Sequence, residues 1–200
     1  MDTKERLRVG VVVLAGGRAT RMGGMDKGLL RIGDKTMVET CLAKVAHADA
    51  VCVSANRNLE DYRAVADNVF EDCIGGFTGP LAGVHSAIDH LSGRVDAVIS
   101  IPCDSPFFPE DLVKRLSQML ESHPESECAA VKAEEKFEPG FAIYRVQLLE
   151  QLKTYLTAGG RRVRQFLESH NVLWCEYDDA RAFRNLNTPD ELAASQPDVV

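Results

Sequence analysis

The chain has 200 residues, of which 45% are hydrophobic and 26% charged, a balance typical of a globular protein and unlike that of a disordered one. Its formal net charge of -7 gives no general attraction for nucleic acid or an anionic membrane, so a bound phosphate would need local positive charge. No apolar run approaches the roughly 20 residues that span a bilayer. We therefore expect no nucleic acid and no membrane among its partners.

The cysteines indicate the redox environment. No two of them form a C-x-x-C pair that would suggest a zinc site or a redox couple. Most lie in apolar segments, where a free cysteine behaves as a small buried hydrophobic residue. This pattern predicts a reducing environment, and we expect a cytoplasmic location. The six residues are Cys41, Cys52, Cys73, Cys103, Cys128 and Cys175.

Predicted strands and helices alternate in the first half of the chain. Continuous apolar runs at 9–15 and 95–103 are expected of strands covered on both faces, and shorter strands are predicted at 50–55 and 69–70. Apolar residues recur at helical spacing at 37–45 and 81–91. A short helix is predicted after Asn58, and another helix follows Pro109 and runs through Leu120. A turn is predicted at Gly33-Asp34. The alternation predicts an α/β fold with a doubly wound parallel sheet.

The second half is less regular. Strands are predicted at 129–131, 141–146 and 173–177, with helices after Leu148 and Val163. Thr188-Pro189-Asp190 is typical of a helix start, because Thr caps, Pro suits the first helical position and Glu191 follows three residues after the cap. We see no repeats and no low-complexity linker, so we predict one domain over residues 1–200.

A glycine-rich loop, from Gly16 to about Gly28, follows the first predicted strand. Glycines at a strand end let the backbone approach a ligand closely, and Arg18, Arg21 and Lys27 supply local positive charge. The loop is not a Walker motif, because no Ser or Thr follows the lysine. It is not a dinucleotide fingerprint either, because Asn56 stands where an acidic residue would hold the ribose. The loop therefore predicts phosphate binding, the alternative being a flexible connection that happens to be basic.

Three polar residues follow predicted strands, at the edge where ligands of parallel sheets collect. Asn56 could hold a base or ribose, or it could cap a helix. Asp72 could accept hydrogen bonds from a guanine edge or ribose, or it could form a turn. Asp104 comes directly after a buried strand, between Pro102 and Pro106. It could hold Mg²⁺ against a triphosphate, or it could form an Asx turn.

These motifs together resemble those of the molybdenum cofactor guanylyltransferases, from about residue 9 to residue 192. The glycine loop alone is similar to the signature of the wider nucleotidyltransferase superfamily. The full set of motifs, in their order along the chain, narrows the resemblance to the guanylyltransferases. The segments that carry the resemblance are Leu14-Ala15-Gly16-Gly17, Arg21-Met22-Gly23, Lys27, Ser54-Ala55-Asn56-Arg57, Gly79-Pro80-Leu81-Ala82-Gly83, Pro102-Cys103-Asp104-Ser105-Pro106 and Asn185-Leu186-Asn187-Thr188-Pro189.

The resemblance implies a three-layer, Rossmann-like fold similar to that of nucleotide-diphospho-sugar transferases, with a mostly parallel sheet and helices on both faces. Residues 9–125 would bind the nucleotide and residues 126–195 the pterin substrate. Asp104 would also hold Mg²⁺, and Lys27, Arg21 and Asp104 would be the catalytic residues. The implied GTP contacts are Leu14, Ala15, Gly16, Gly17, Lys27, Asn56, Asp72 and Asp104.

On the pterin side, the resemblance implies Asn185 and Asn187 as substrate contacts or as structural supports of the site. Arg161 and Arg162 also match the family pattern and could grip the pterin phosphate, although a basic pair is as readily a solvated helix start. One position departs from the family, since Glu138 stands before Pro139 where members often have histidine.

The implied reaction is attack by the pterin's terminal phosphate on the α-phosphate of GTP, releasing pyrophosphate. The attacking phosphate is already ionised, so no strong general base is required. The partners would be GTP and the molybdopterin cofactor, and possible protein partners are other cofactor-biosynthesis or acceptor enzymes. The alternatives are transfer of CMP, a sugar-phosphate substrate, or nucleotide binding without turnover.

Overall fold

A computed structural model describes residues 6–15, 26–74, 79–187 and 191. Within these ranges the strands are β1 (Val9–Leu14), β2 (Arg31–Ile32), β3 (Lys35–Thr36), β4 (Ala50–Ser54), β5 (Val69–Phe70), β6 (Ala97–Pro102), β7 (Cys128–Ala133), β8 (Lys136–Arg145) and β9 (Leu173–Tyr177). The α-helices are α1 (Met37–Val45), α2 (Leu59–Arg63), α3 (Pro80–His90), α4 (Leu112–Ser122), α5 (Leu149–Thr157) and α6 (Val163–Glu168). Short 3₁₀ helices span Lys27–Leu29, Val146–Leu148 and Ala180–Phe183.

In the described part of the chain, seven strands form one sheet in the order β5-β4-β1-β6-β8-β7-β9. Strand β8 runs antiparallel to both of its neighbours, whereas the other pairings are parallel. The sheet therefore takes strands from both predicted halves of the chain, and the halves meet where β6 pairs with β8. The remaining strands, β2 and β3, form a separate two-residue hairpin.

Apolar side chains on both faces of the sheet explain the three layers. Val11 and Val13 of β1 contribute to a core with Val38 of α1, whereas Val12 faces the opposite core with Val84 of α3. Helix α4 contributes to the first core, and α5 and α6 to the second. Each fully buried Val or Leu side chain is worth about 1.5–3 kcal/mol, so an amphipathic helix is held on each face.

The predicted fold class is confirmed, since the sheet is mostly parallel and has helices on both faces. Two details differ from the sequence prediction. The hairpin β2–β3 was not predicted beyond its turn, because two-residue strands show no periodicity. Strand β8 begins at Lys136 rather than at residue 141, and a register shift opposite Ala130 and Val131 accommodates Pro139 and Gly140. The boundary between the halves near residue 125 stays a prediction.

The cysteines behave as predicted, since five of the six are buried free thiols and Cys73 alone is exposed. Burial raises the pKa of Cys41, Cys52 and Cys128 to about 12, so these thiols stay protonated at neutral pH. No helix in the described ranges is long and apolar enough to cross a membrane. A cytoplasmic location stays a prediction.

Candidate active site

The carboxyl ends of three parallel strands form the floor of the candidate site. Leu14 of β1 stands in register with Ser54 of β4 on one side and Pro102 of β6 on the other. Beyond these pairs, the backbone amide of Ala15 donates to the carbonyl of Ser54 at 2.8 Å. The residues that follow each strand, Asn56 and Asp104 among them, are thereby brought to one edge of the sheet, as the sequence predicted.

At the end of β6, Lys27 joins residues from distant parts of the chain. Its ammonium lies 3.1 Å from Oδ2 of Asp104 and donates to Oδ1 of Asn187 at 2.6 Å. The side chains of Lys27 and Asp104 are 24% and 22% exposed, so the pair is accessible to a ligand while its position is restricted by the surrounding protein. We refer to Lys27, Asp104 and Asn187 as the lysine cluster.

The segment that supplies Asn187 is fastened to the loop after β6. The backbone amide of Leu186 donates to the carbonyl of Asp104 at 2.7 Å, and the hydroxyl of Ser105 donates to Oδ1 of Asn185. The backbone amide of Asn187 donates to the carboxylate of Glu191 at 2.6 Å. Asn185 therefore supports the loop after β6, whereas Asn187 contacts Lys27 directly. The predicted helix start at residues 188–190 lies outside the described residues.

A second polar cluster lies at the end of β4. Asn56 donates from Nδ2 to Oδ2 of Asp72 at 2.8 Å, and its own Oδ1 accepts from the backbone amide of Asp72 at 2.9 Å. The hydroxyl of Ser54 donates to Oδ1 of Asp72 at 3.0 Å. These bonds fix the carboxylate and the amide relative to each other at an exposed edge. We refer to Ser54, Asn56 and Asp72 as the asparagine cluster.

Helix α3 packs closely over this end of the sheet because it carries a glycine. A Cβ atom on Gly83 would lie 2.7 Å from Cδ2 of Leu14 and 2.8 Å from Oγ of Ser54. The first turns of α3 therefore rest on the ends of β1 and β4. Gly83 belongs to the segment that begins at Gly79 and Pro80, which the sequence singled out without assigning it a role.

Sequence reasoning missed a buried carboxylate beside Lys27. Asp26 is 8% exposed and accepts a hydrogen bond of 2.6 Å from the hydroxyl of Tyr62, which is fully buried. Burial raises the pKa of that hydroxyl, and the bond to Asp26 raises it further, so tyrosine stays a neutral donor. The signal for Asp26 was an acidic residue in an otherwise basic, glycine-rich loop. Tyr62 gave no signal of its own, because a tyrosine in a short helix is ordinarily a core residue.

Over most of its length the sequence matches the MobA-like NTP transferase domain, with residues 11–173 covered. The chain belongs to this family. The molybdenum cofactor guanylyltransferase of Cupriavidus necator is 37% identical over 186 residues, covering 90% of this chain and 92% of that protein. The family predicted from the sequence is thus confirmed, and the chain is a nucleotidyltransferase.

Solved structures agree on the fold. Molybdopterin-guanine dinucleotide biosynthesis protein A of Archaeoglobus fulgidus matches with a TM-score of 0.76 at 23% identity, over 94% of this chain and 96% of that chain. The 4-diphosphocytidyl-2C-methyl-D-erythritol synthase of Anaerococcus prevotii matches with a TM-score of 0.72 at 13% identity, over 94% and 93%. At these identities the likeness concerns the fold, and it confirms the predicted transferase-like architecture.

The arginine pair predicted for the pterin side of this nucleotidyltransferase lies between α5 and α6. Arg161 donates from Nη1 to the carbonyls of Leu156 at 3.0 Å and Gly160 at 2.6 Å. The carbonyl of Arg162 accepts from the hydroxyl of Tyr155 at 3.1 Å. These contacts hold the turn itself and do not reach the lysine cluster. A role in binding the pterin phosphate stays a prediction.

Glu138, the departure from the family pattern, lies on β8 opposite Val131. It is partly buried, and burial raises the pKa of its carboxyl, although the charge of Lys136 offsets part of this effect. Glu138 lies in the part of β8 that pairs with β7, two residues before Gly140, where a Cβ atom would lie 2.8 Å from Pro102 of β6.

Three of the predicted site residues, Gly16, Gly17 and Arg21, lie outside the described residues. Leu14, Ala15, Lys27, Asn56, Asp72 and Asp104 are described, and all belong to the carboxyl edge or to the two clusters there. The structure thus gathers six of the sequence-predicted nucleotide contacts at one edge, while their roles toward GTP stay predictions.

Proposed function

We propose that this chain transfers GMP from GTP to the molybdenum-bearing pterin cofactor, forming a guanine dinucleotide and releasing pyrophosphate. The observation that carries the proposal is the lysine cluster, in which Lys27 meets residues 77 and 160 positions away at the carboxyl edge of the sheet. A cation, a carboxylate and an amide at that edge suit a triphosphate with its counter-ion. Likeness to guanylyltransferases such as that of Cupriavidus necator supports GTP and the pterin as substrates.

The asparagine cluster supplies groups that suit a guanine base. Guanine presents neighbouring N–H donors on its pairing edge, and a carboxylate can accept both of them. Asp72 already accepts from Ser54 and Asn56, so its orientation is fixed before a nucleotide arrives. Cytosine presents a single amino donor on the corresponding edge, so this arrangement favours GTP over CTP.

The lysine cluster suits the phosphates. Lys27 would neutralise charge that builds up as pyrophosphate leaves, and Arg21 and the backbone of Gly16 and Gly17 would contribute from the loop. The attacking pterin phosphate is ionised at neutral pH, so the reaction needs positioning and charge neutralisation rather than a general base. The pairing of Lys27 with Asp104 and an amide, rather than with histidine, is consistent with that requirement.

The donor set also fits Mg²⁺. This ion usually binds one or two protein carboxylates and completes its shell with phosphate oxygens and water. Among the described residues no group of three or more His, Cys, Asp or Glu side chains could hold a metal ion. Asp104 would provide the carboxylate, and Asn187 offers a neutral oxygen nearby. When bound, Mg²⁺ would offset phosphate charge and orient the triphosphate.

The test is product formation with Mg²⁺, the molybdenum-loaded pterin and either labelled GTP or labelled CTP. We expect a guanine dinucleotide from GTP and little or no cytosine product. Incorporation of CTP in preference to GTP would overturn the assignment of the base. Transfer only to a sugar phosphate, added as a competing acceptor, would overturn that of the pterin. Binding of GTP without any product would favour a nucleotide-binding protein without turnover.

A further inference from the structure

A buried carboxylate next to Lys27 is not used in the proposed reaction. The side chain of Asp26 is 4% exposed, and its oxygens accept from Tyr62 at 2.6 Å, from Nδ2 of Asn58 at 3.1 Å and from the backbone amide of Gly28 at 3.3 Å. The Nε of Arg57 lies 3.5 Å away. A buried carboxylate that accepts from several donors is held in one orientation.

Asp26 also makes two bonds to the backbone around Lys27, one through its side chain and one through its carbonyl. Asp26 caps the 3₁₀ helix Lys27–Leu29 through the amide of Gly28. The amide of Leu29 donates to the carbonyl of Asp26 at 3.2 Å, closing the turn around Lys27. The lysine side chain has several rotatable bonds. Its ammonium can therefore be held in one place only if the backbone at Lys27 is itself fixed.

The other bonds connect this turn to the segment that follows β4. Tyr62 of α2 is packed so closely on the turn that a Cβ atom on Gly28 would lie 2.4 Å from the tyrosine oxygen. Asn58 precedes α2 in a left-handed conformation with φ of 50°, and its side chain makes no cap bond to the helix. Its amide is instead directed to Asp26.

This segment begins at Asn56, the residue that anchors the asparagine cluster. The chain from Asn56 to Tyr62 therefore contacts Asp72 at one end and Asp26 at the other. This segment therefore links the asparagine cluster to Asp26, the residue before Lys27 of the lysine cluster.

We propose that Asp26 is a positioning residue that holds the Lys27 ammonium in place for transfer, and that Tyr62 and Asn58 hold Asp26. The inference rests on the proposed function for its effect on turnover, but the position of Lys27 can be measured without any substrate. Asp26 acts through Lys27 and is not expected to touch the nucleotide.

The test uses Asp26→Asn and Tyr62→Phe in the full chain. Both variants preserve side-chain shape, whereas the first removes the charge and the second removes one donor. The matched control is Tyr177→Phe, which also removes a tyrosine–aspartate bond, here of 3.2 Å to Asp111, at the far edge of the sheet. Urea unfolding of each variant reports any general loss of stability.

The first readout is the rate at which an amine reagent modifies Lys27 in the absence of nucleotide, followed by peptide mass spectrometry. Lys132 serves as the internal reference, because its side chain is 25% exposed and paired with Glu176, much as Lys27 is with Asp104. We expect the Lys27 to Lys132 ratio to rise on the order of tenfold in Asp26→Asn and less in Tyr62→Phe. An unchanged ratio in both variants would overturn the proposal.

The second readout is turnover of GTP. We expect kcat to fall about 100-fold in Asp26→Asn, as for a misplaced catalytic group, with a much smaller change in KM and no change in Tyr177→Phe. A lower kcat without faster labelling of Lys27 would contradict positioning. If the unmodified chain transfers no GMP, the proposed function fails, whereas the labelling ratio still decides whether Asp26 positions Lys27.

Discussion

At the residue scale, the central feature is that Lys27 is accessible and yet tied to two partners. Exposed ion pairs are worth about 0–1 kcal/mol, and in more buried pairs the cost of desolvation largely offsets the attraction, so the pair of Lys27 and Asp104 contributes little to folding. The position of this pair at the carboxyl edge of a mostly parallel sheet, rather than its contribution to stability, suggests a functional role.

We predict that Lys27→Ala and Asp104→Ala each lower kcat by about 100- to 1,000-fold, the usual loss when a charge-stabilising group is removed. The midpoint of urea unfolding should stay close to that of the unmodified chain, for the reason just given. Steady-state kinetics with GTP and the loaded pterin, together with urea unfolding, provide the measurement.

The control for this prediction is Lys132→Ala on β7, which removes a lysine side chain about as exposed as Lys27 and paired with Glu176 of β9, and it should leave turnover unchanged. Near-normal turnover in Lys27→Ala or in Asp104→Ala would remove that residue from the mechanism. A large shift of the unfolding midpoint would show instead that the pair has a structural role.

Only some of the side-chain contacts at the candidate site could be predicted from the sequence. Asn56, Asp72 and Asp104 could be predicted to lie together, because each follows a strand and parallel strands end at the same edge. That Lys27 would contact Asn187 could not be predicted from spacing, since the two residues are 160 positions apart. Only the family resemblance pointed to that asparagine, and Asp26 carried no signal strong enough to separate it from its basic neighbours.

At the element scale, the close packing of α3 on the strand ends links stability to nucleotide binding. We predict that Gly83→Ala destabilises the chain, because the added methyl group would overlap Leu14 and Ser54. Overpacking costs about 1–3 kcal/mol. Replacing glycine by alanine gains about 1 kcal/mol in helix propensity, so the net effect should be a loss of stability. Displacement of Ser54 should also weaken GTP binding, because Ser54 orients Asp72.

The measurement for Gly83→Ala is urea unfolding combined with titration of labelled GTP. A control is Ser117→Ala on α4, because the hydroxyl of Ser117 donates to the carbonyl of Val113 in its own helix at 2.7 Å. Ser117→Ala should retain GTP affinity. An unfolding midpoint and an affinity for Gly83→Ala that both match the unmodified chain would show that α3 can shift without cost.

Elements differ in how far the sequence predicted them. Strands β1 and β6 were predictable because both faces are buried, which produces continuous apolar runs. The first part of β8 was not, because Pro139 and Gly140 interrupt the pattern. In the structure Ser100 donates to the carbonyl of Gly140 at 2.8 Å, so a side chain from β6 holds an irregular segment that would otherwise lose its pairing.

At the scale of the whole molecule, the antiparallel strand β8 joins the second half to the first beside the lysine cluster. A Cβ atom on Gly140 would lie 2.8 Å from Cγ of Pro102, so the halves meet closely at the carboxyl end of β6. Glu138 lies two residues before this contact. The proposed pterin side and the nucleotide side thus adjoin at Asp104, as transfer between two bound substrates requires.

The overall charge of -7 fits this arrangement. Repulsion of anionic substrates by the whole chain has to be offset locally, and Lys27 lies at the carboxyl edge of the sheet, where it can do so. The fold class and the grouping of predicted nucleotide contacts at the carboxyl edge could be predicted, because strand ends and loop charges are local features of the sequence. The pterin side could not be derived in the same way, since it depends on how distant segments pack.

The most direct test of the central claim is a dual-label measurement of the reaction. GTP labelled at its α-phosphate and GTP labelled at its γ-phosphate are each incubated with the chain, Mg²⁺ and the molybdenum-loaded pterin. We predict that the α label enters the pterin dinucleotide and the γ label enters pyrophosphate, in equal molar amounts. Release of the γ label as inorganic phosphate, or the absence of the α label from the pterin product, would contradict GMP transfer.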